Sequence, residues 1–120
     1  MKLRNIKDLL KAEVIWGDDA LDIEIEFAGG SDLMSDVLAF GKPGILLLTG
    51  LSNAQTVRTA NIIEAKAIIY VRGKRPDERG REMAEAMGIP ILSTKHMMYK
   101  TCGILYGAGL PGVCDVEDVE

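Results

Sequence analysis

The strongest constraint on the fold is the run Ala67-Ile68-Ile69-Tyr70-Val71. It is continuously apolar and rich in β-branched residues, with no polar alternation, so both of its faces require burial. That is the pattern of a central strand covered by helices on two sides. The run leads into Arg72-Gly73-Lys74-Arg75-Pro76-Asp77, a turn with a glycine, a proline and three cations. Loops at the carboxyl ends of central strands are where open α/β sheets take their ligands.

Two more apolar segments resemble it. Ile45-Leu46-Leu47-Leu48-Thr49 precedes it and Ile89-Pro90-Ile91-Leu92-Ser93 follows it. Helical spacing fills the gaps. Asn53 can cap a helix reaching about residue 65, with Val57, Ala60 and Ile63 facing in. A helix over residues 77–87 lines up Gly80, Met83, Ala84 and Met87, and Gly88 can end it in the left-handed conformation. Thr94 can cap a last helix with Met98, Cys102 and Leu105 as its inner stripe. Strand and helix thus alternate from residue 45 onward, which implies parallel strands and right-handed crossovers.

The first third is less regular. Residues 3–11 predict a helix on Ile6, Leu9 and Leu10, and Glu13-Val14-Ile15-Trp16 a strand. Leu21-Asp22-Ile23-Glu24-Ile25-Glu26-Phe27 alternates strictly, as a half-buried edge strand does. The two strands are expected to pair antiparallel. Ala28-Gly29-Gly30-Ser31-Asp32 is expected to break the strand and open a helix capped by Ser31, with Leu33, Met34, Val37 and Leu38 inward. Gly41-Lys42-Pro43-Gly44 stops that helix. The expected fold class is α/β: a three-layer α/β/α sandwich with a mixed, mainly parallel sheet, one domain over residues 1–110 and an acidic tail over 111–120.

Composition narrows the function. A chain of 120 residues suits one domain, and 48% apolar residues supply a core. The last six residues hold four acids; the remainder balances 14 acids against 14 bases. A neutral body argues against nucleic-acid binding, and no apolar run approaches the roughly 18–20 residues that span a bilayer. A cytoplasmic location is the default expectation. Cys102 and Cys114 are too few for a disulfide framework, and with His96 they fall short of a zinc site. They read as free thiols, Cys102 in the core and Cys114 in the tail. No metal or cofactor is expected.

Chemistry can sit at three strand-to-helix junctions that fall on one end of a parallel sheet: Thr49-Gly50-Leu51-Ser52-Asn53, Arg72-Gly73-Lys74-Arg75-Pro76 and Ser93-Thr94-Lys95. Each brings hydroxyls, amides or cations to a helix start, where free N–H groups and the helix dipole favour an anion. The candidate ligand-binding residues are Thr49, Ser52, Asn53, Arg72, Lys74 and Ser93. The competing reading is ordinary caps and turns. Arg79 and Arg81 read as a solvated helix face paired with Asp77, Glu78 and Glu82. No Walker loop occurs, and Gly29-Gly30 is too little for a dinucleotide fingerprint. His96 has no nucleophile or carboxylate nearby in sequence, so no catalytic residue is assigned. Asp32 and Asp36, one turn apart, could hold Mg²⁺ but read more simply as the polar side of an amphipathic helix. Met83, Met87, Met97 and Met98 read as core filling or a subunit contact.

Residues 31–39, 66–77 and 88–110 together resemble the DRTGG domain, and the resemblance extends over about residues 3–110. The letters D-R-T-G-G do not occur as a run; Ala28-Gly29-Gly30-Ser31-Asp32 is a loose echo. The resemblance implies a regulatory module. DRTGG domains accompany CBS domains in regulated pyrophosphatases and occur in some phosphotransacetylases. They are similar to the N-terminal domain of HPr kinase/phosphorylase, whose catalytic P-loop lies in a separate domain, so kinase activity is not implied. It further implies an α/β/α fold, a homodimer, and an adenine nucleotide, including diadenosine polyphosphates, or another phosphorylated metabolite as ligand. The alternative is a protein–protein interaction module without a small-molecule ligand, using Cys102, Gly103, Leu105 and Tyr106 or the first strands. An enzyme lacks an activated nucleophile here.

Overall fold

The structure is a computed structural model that describes residues 1–113. Ten regular elements follow one another: α1 (Leu3–Leu10), β1 (Glu13–Trp16), β2 (Ala28–Gly30), α2 (Met34–Phe40), β3 (Leu46–Thr49), α3 (Ala54–Ile62), β4 (Ala67–Tyr70), α4 (Glu78–Met87), β5 (Ile91–Ser93) and α5 (Met98–Gly107), with a 3₁₀ turn at Asp18–Ala20. The strands form one sheet in the order β1-β5-β4-β3-β2. β2, β3, β4 and β5 run parallel and β1 is antiparallel to β5.

The apolar runs become central strands because each feeds two cores. On one face Leu46, Leu48, Ala67, Ile69 and Leu92 pack with Leu3, Ile6, Leu10 and Leu105 of α1 and α5. On the other, Leu47, Ile68, Tyr70 and Ile91 pack with Val37, Val57, Ala60 and Ala84 of α2, α3 and α4. The α/β/α layering and the mainly parallel sheet therefore follow from strands that need cover on both sides.

The first third departs from expectation in three ways. Residues 21–27 form no strand beyond one bridge between Glu24 and Lys2. Leu21 and Ile25 are buried as the alternation demands, but the backbone serves α1. Leu3 N and Arg4 N, donors in its first turn, bond the carbonyls of Ile23 and Leu21 at 3.0 and 2.8 Å. With no side-chain cap on this helix, those orphan donors take the extended segment as their acceptors. Second, Ala28-Gly29-Gly30 is an edge strand and not a break. A Cβ on Gly29 would lie 2.8 Å from the Phe40 ring, and one on Gly30 would lie 3.0 Å from Met98 Sδ, so the glycines let helices close over both faces of β2. Third, β1 does not pair with residues 21–27; it pairs antiparallel with β5, at the opposite edge of the sheet from β2.

Helix starts also shift. Ser31 Oγ accepts Leu33 N at 3.0 Å, but α2 begins at Met34, and Leu33 and Leu38 are exposed while Met34 and Val37 are buried. Thr94 does not cap α5, which begins at Met98; it is buried, and its hydroxyl donates to Leu10 O at 2.8 Å. Leu9 and Met87 are exposed. Gly88 ends α4 with φ +71° as expected. Pro111, Gly112 and Val113 lie along β2: Ala28 N donates to Pro111 O at 3.0 Å and Val113 N to Ala28 O at 3.2 Å. Cys114 and the acids of residues 115–120 lie outside the described residues.

Candidate functional site

Three adjacent parallel strands bring their carboxyl ends to one edge. Thr49 of β3 is level with Tyr70 of β4, and Tyr70 with Ser93 of β5. The loops that follow carry the expected hydroxyls and cations.

The best-defined part is a knot around Asp32. Its Oδ1 accepts Gly50 N at 2.6 Å and the Thr49 hydroxyl at 3.2 Å. Its Oδ2 lies 3.6 Å from Arg72 Nη2, and the same Nη2 donates to Gly50 O at 3.2 Å. Gly50 has to be glycine for this packing: a Cβ there would run into the Arg72 guanidinium, with Nε at 2.8 Å and Cζ at 2.9 Å. Arg72 itself has φ +61°, a left-handed conformation costing a non-glycine residue roughly 1–2 kcal/mol. Long-range bonds hold it there. Arg72 N donates to His96 O and Gly73 N to Thr94 O, both at 2.8 Å, which ties the loop after β4 to the loop after β5.

Thr49 and Arg72 are thus brought together. Ser93 lies beyond them and donates to Lys74 O at 2.6 Å, and the Lys74 side chain is exposed. Ser52 accepts Asp77 N at 2.9 Å through its carbonyl. Asn53 occupies the N-cap position of α3 without a side-chain capping bond and faces solvent. Between β1 and the β4 loop lies a hollow of about 300 Å³ lined by Lys11, Glu13, Gly73, Arg75, Ser93 and Lys95. Arg75 is ion-paired with Glu13 there, which leaves Lys11 and Lys95 as the other cations on its wall. Lys11 has no sequence signal for this position, because it reaches the hollow only through the pairing of β1 with β5. Asp32 likewise carries no signal for its role, because its partners lie 17 and 18 residues on in the chain and beyond.

A second concavity of about 310 Å³ separates β2 from α5, with Gly29, Gly30, Leu48, Tyr99, Cys102 and Tyr106 on its wall. Tyr99 and Tyr106 are 92% and 75% exposed. Burial pushes the Cys102 thiol up from its ordinary pKa. Tyr70 is fully buried at the end of the central strand, and its phenol has no hydrogen-bond partner among the described residues. Burial, and secondly the negative charge of Asp77, raise its pKa well above the ordinary tyrosine value. Among the described residues no group of three or more His, Cys, Asp or Glu side chains could hold a metal ion. No helix among them is long and apolar enough to cross a membrane.

Comparison with known proteins agrees with this architecture. A search of curated proteins returns no match. Among solved structures, the chain is similar to the CBS and DRTGG domains of the regulatory region of the Clostridium perfringens pyrophosphatase, crystallised with its activator diadenosine tetraphosphate. The TM-score is 0.76 at 19% identity, over 92% of this chain and 47% of that one. That likeness shows a shared fold, and the chain spans less than half of the regulatory region it matches. The family model of the DRTGG domain matches residues 5–108, nearly the whole sequence, and the chain belongs to the DRTGG domain family.

Proposed function

We propose that this DRTGG domain is a non-catalytic regulatory ligand-binding module. It senses an adenine nucleotide or another phosphorylated metabolite, and it acts as a homodimer in the cytoplasm. Thr49, Ser52, Asn53, Arg72, Lys74 and Ser93 form the pocket: hydroxyls and backbone N–H groups hold phosphate oxygens, and Arg72 and Lys74 neutralise their charge. One observation carries the reading. Thr49 and Arg72 meet at the carboxyl edge of three parallel strands, with Ser93 level at the end of the third, where open α/β sheets take ligands. The activator bound to the regulatory region of the similar pyrophosphatase is of the same chemical class.

The test is a thermal-shift and titration series with adenosine mono-, di- and triphosphate, diadenosine polyphosphates and common phosphorylated metabolites, with and without Mg²⁺. A ligand at 100 times its dissociation constant adds about 2.7 kcal/mol of stability. The expected result is a shift with one nucleotide class, reduced in Arg72→Ala and Lys74→Ala. No change of affinity in either variant overturns the site.

A second reading, an interaction module without a small-molecule ligand, is favoured by α5. Tyr99 and Tyr106 stand exposed on it beside the apolar cleft and Met97 stands exposed just before its start, although Leu105, expected on that surface, is buried. Sedimentation at micromolar concentration separates the two. A monomer that binds none of the panel favours the interaction module; a dimer that binds a nucleotide favours the sensor.

A further inference from the structure

We infer that the Thr49–Gly50–Arg72 corner is an oxyanion site held in this structure by the chain's own Asp32 carboxylate, and that a ligand phosphate enters by displacing it. This rests on the reading that the domain binds a phosphorylated ligand, and it adds which atoms take the phosphate and what keeps them occupied beforehand.

The three donors belong to the framework. Gly50 N and Thr49 Oγ1 come from the end of β3, where both residues are buried, and the Arg72 guanidinium is anchored on Gly50 O. The acceptor does not belong to the framework. Asp32 lies in the short link between β2 and α2 and its side chain is 52% exposed, so a side-chain rotation carries the carboxylate into solvent and leaves the donors in place.

Donor chemistry matches the exchange. A backbone N–H, a hydroxyl and a guanidinium on one side of a carboxylate are the groups that bind phosphate oxygens. A guanidinium offers five N–H donors, more than the contacts to Gly50 and Asp32 employ. A terminal phosphate presents three oxygens and roughly twice the charge of a carboxylate, so it outcompetes Asp32 for the same donors when its local concentration is high enough. While Asp32 is bound, only the fraction of molecules with the carboxylate swung out is competent, and apparent affinity falls by that fraction. Asp32 therefore sets the ligand concentration at which the sensor responds, and its release frees the β2–α2 link.

The experiment is calorimetric titration of the wild type, Asp32→Ala, Asp32→Asn and Arg72→Gln, with adenosine diphosphate as one probe and inorganic pyrophosphate as the other. Asp32→Ala is expected to bind about tenfold more tightly, equivalent to about 1.4 kcal/mol. Asp32→Asn, which keeps the shape without the charge, is expected to fall between it and the wild type. Arg72→Gln is expected to lose most of the affinity. The gain appearing with both probes means the corner reads phosphate alone; the gain with the nucleotide only means the nucleoside contributes as well. Both support the inference. A wild type that binds while Asp32→Ala and Asp32→Asn bind equally or more weakly overturns the displacement and leaves the sensor reading intact. No binding of either probe by the wild type or either Asp32 variant overturns the oxyanion site, and the sensor reading falls with it only if the whole nucleotide and metabolite panel also fails to bind. Should Asp32→Ala not fold, Asp32→Asn decides alone.

Discussion

Removing the Tyr70 hydroxyl should make this protein more stable. The side chain is fully buried at the end of the central strand, and its oxygen has no hydrogen-bond partner among the described residues. An unfolded tyrosine gives that oxygen to water, and folding takes the water away. An unpaired buried polar group of this kind costs about 1–3 kcal/mol. Tyr70→Phe keeps the ring and its packing against Ile68 and Ala84 of the same core. The expected gain is about 1–2 kcal/mol, or several degrees in the melting temperature of a domain this size. Alkaline pH supplies an independent arm. The native phenol holds its proton well above the ordinary tyrosine value, first through burial and then through the Asp77 charge. The unfolded phenol ionises near pH 10. Above that pH the unfolded state binds fewer protons than the native one, so stability falls as pH rises, approaching about 1.4 kcal/mol per pH unit from this group. Phe at position 70 cannot ionise, so the advantage of Tyr70→Phe should widen between pH 10 and 11. Urea unfolding at pH 7, 10 and 11 measures both arms. A variant that is less stable at pH 7, with no widening at alkaline pH, would refute the reasoning and show that the phenol is paired.

Gly50→Ala should drive the Arg72 guanidinium off Gly50 O, at a cost of about 1 kcal/mol or less for a partly exposed bond. Nucleotide titration should then show an affinity loss like that of Arg72→Ala, and wild-type binding would show that the guanidinium is not needed where it sits. Asp77 caps α4 by accepting Gly80 N at 2.7 Å, so Asp77→Ala should lower the urea midpoint by the equivalent of about 1 kcal/mol. In a Cys114→Ser background, iodoacetamide should alkylate Cys102 at pH 8 more slowly than it alkylates free cysteine, because burial raises the thiol pKa; mass spectrometry against time measures the rate.

The parts of the fold written in local pattern were readable from residue types. Residues 45–49 and 67–71 need burial on both faces, and their short length and flanking glycines select a covered central strand over a buried helix. Gly88 needed only its own place after α4. The parts that failed depend on partners far along the chain. Alternation at residues 21–27 reports burial of Leu21 and Ile25 correctly, yet it cannot say that the backbone will satisfy α1 in place of a neighbouring strand. Thr94 looks like a cap until Leu10 takes its hydroxyl. The candidate site shows the same division. Thr49 and Arg72 follow from strand ends, whereas Asp32 stands in a helical pattern and gains its role only when β2 is laid beside β3.

The pairing of β1 with β5 has a consequence for how the chain is made. Leu10 O waits for a hydroxyl 84 residues downstream, and β1 has no partner strand until residues 91–93 leave the ribosome. At about 5–20 residues per second that interval lasts roughly 4–17 s. Through it Val14, which packs into one core, and Ile15 and Trp16, which pack into the other, stay without their sheet neighbour on the nascent chain. The first strand of this domain to be synthesised is thus among the last of its strands to be secured, and early crowding by other nascent chains or capture by a chaperone would fall on that segment.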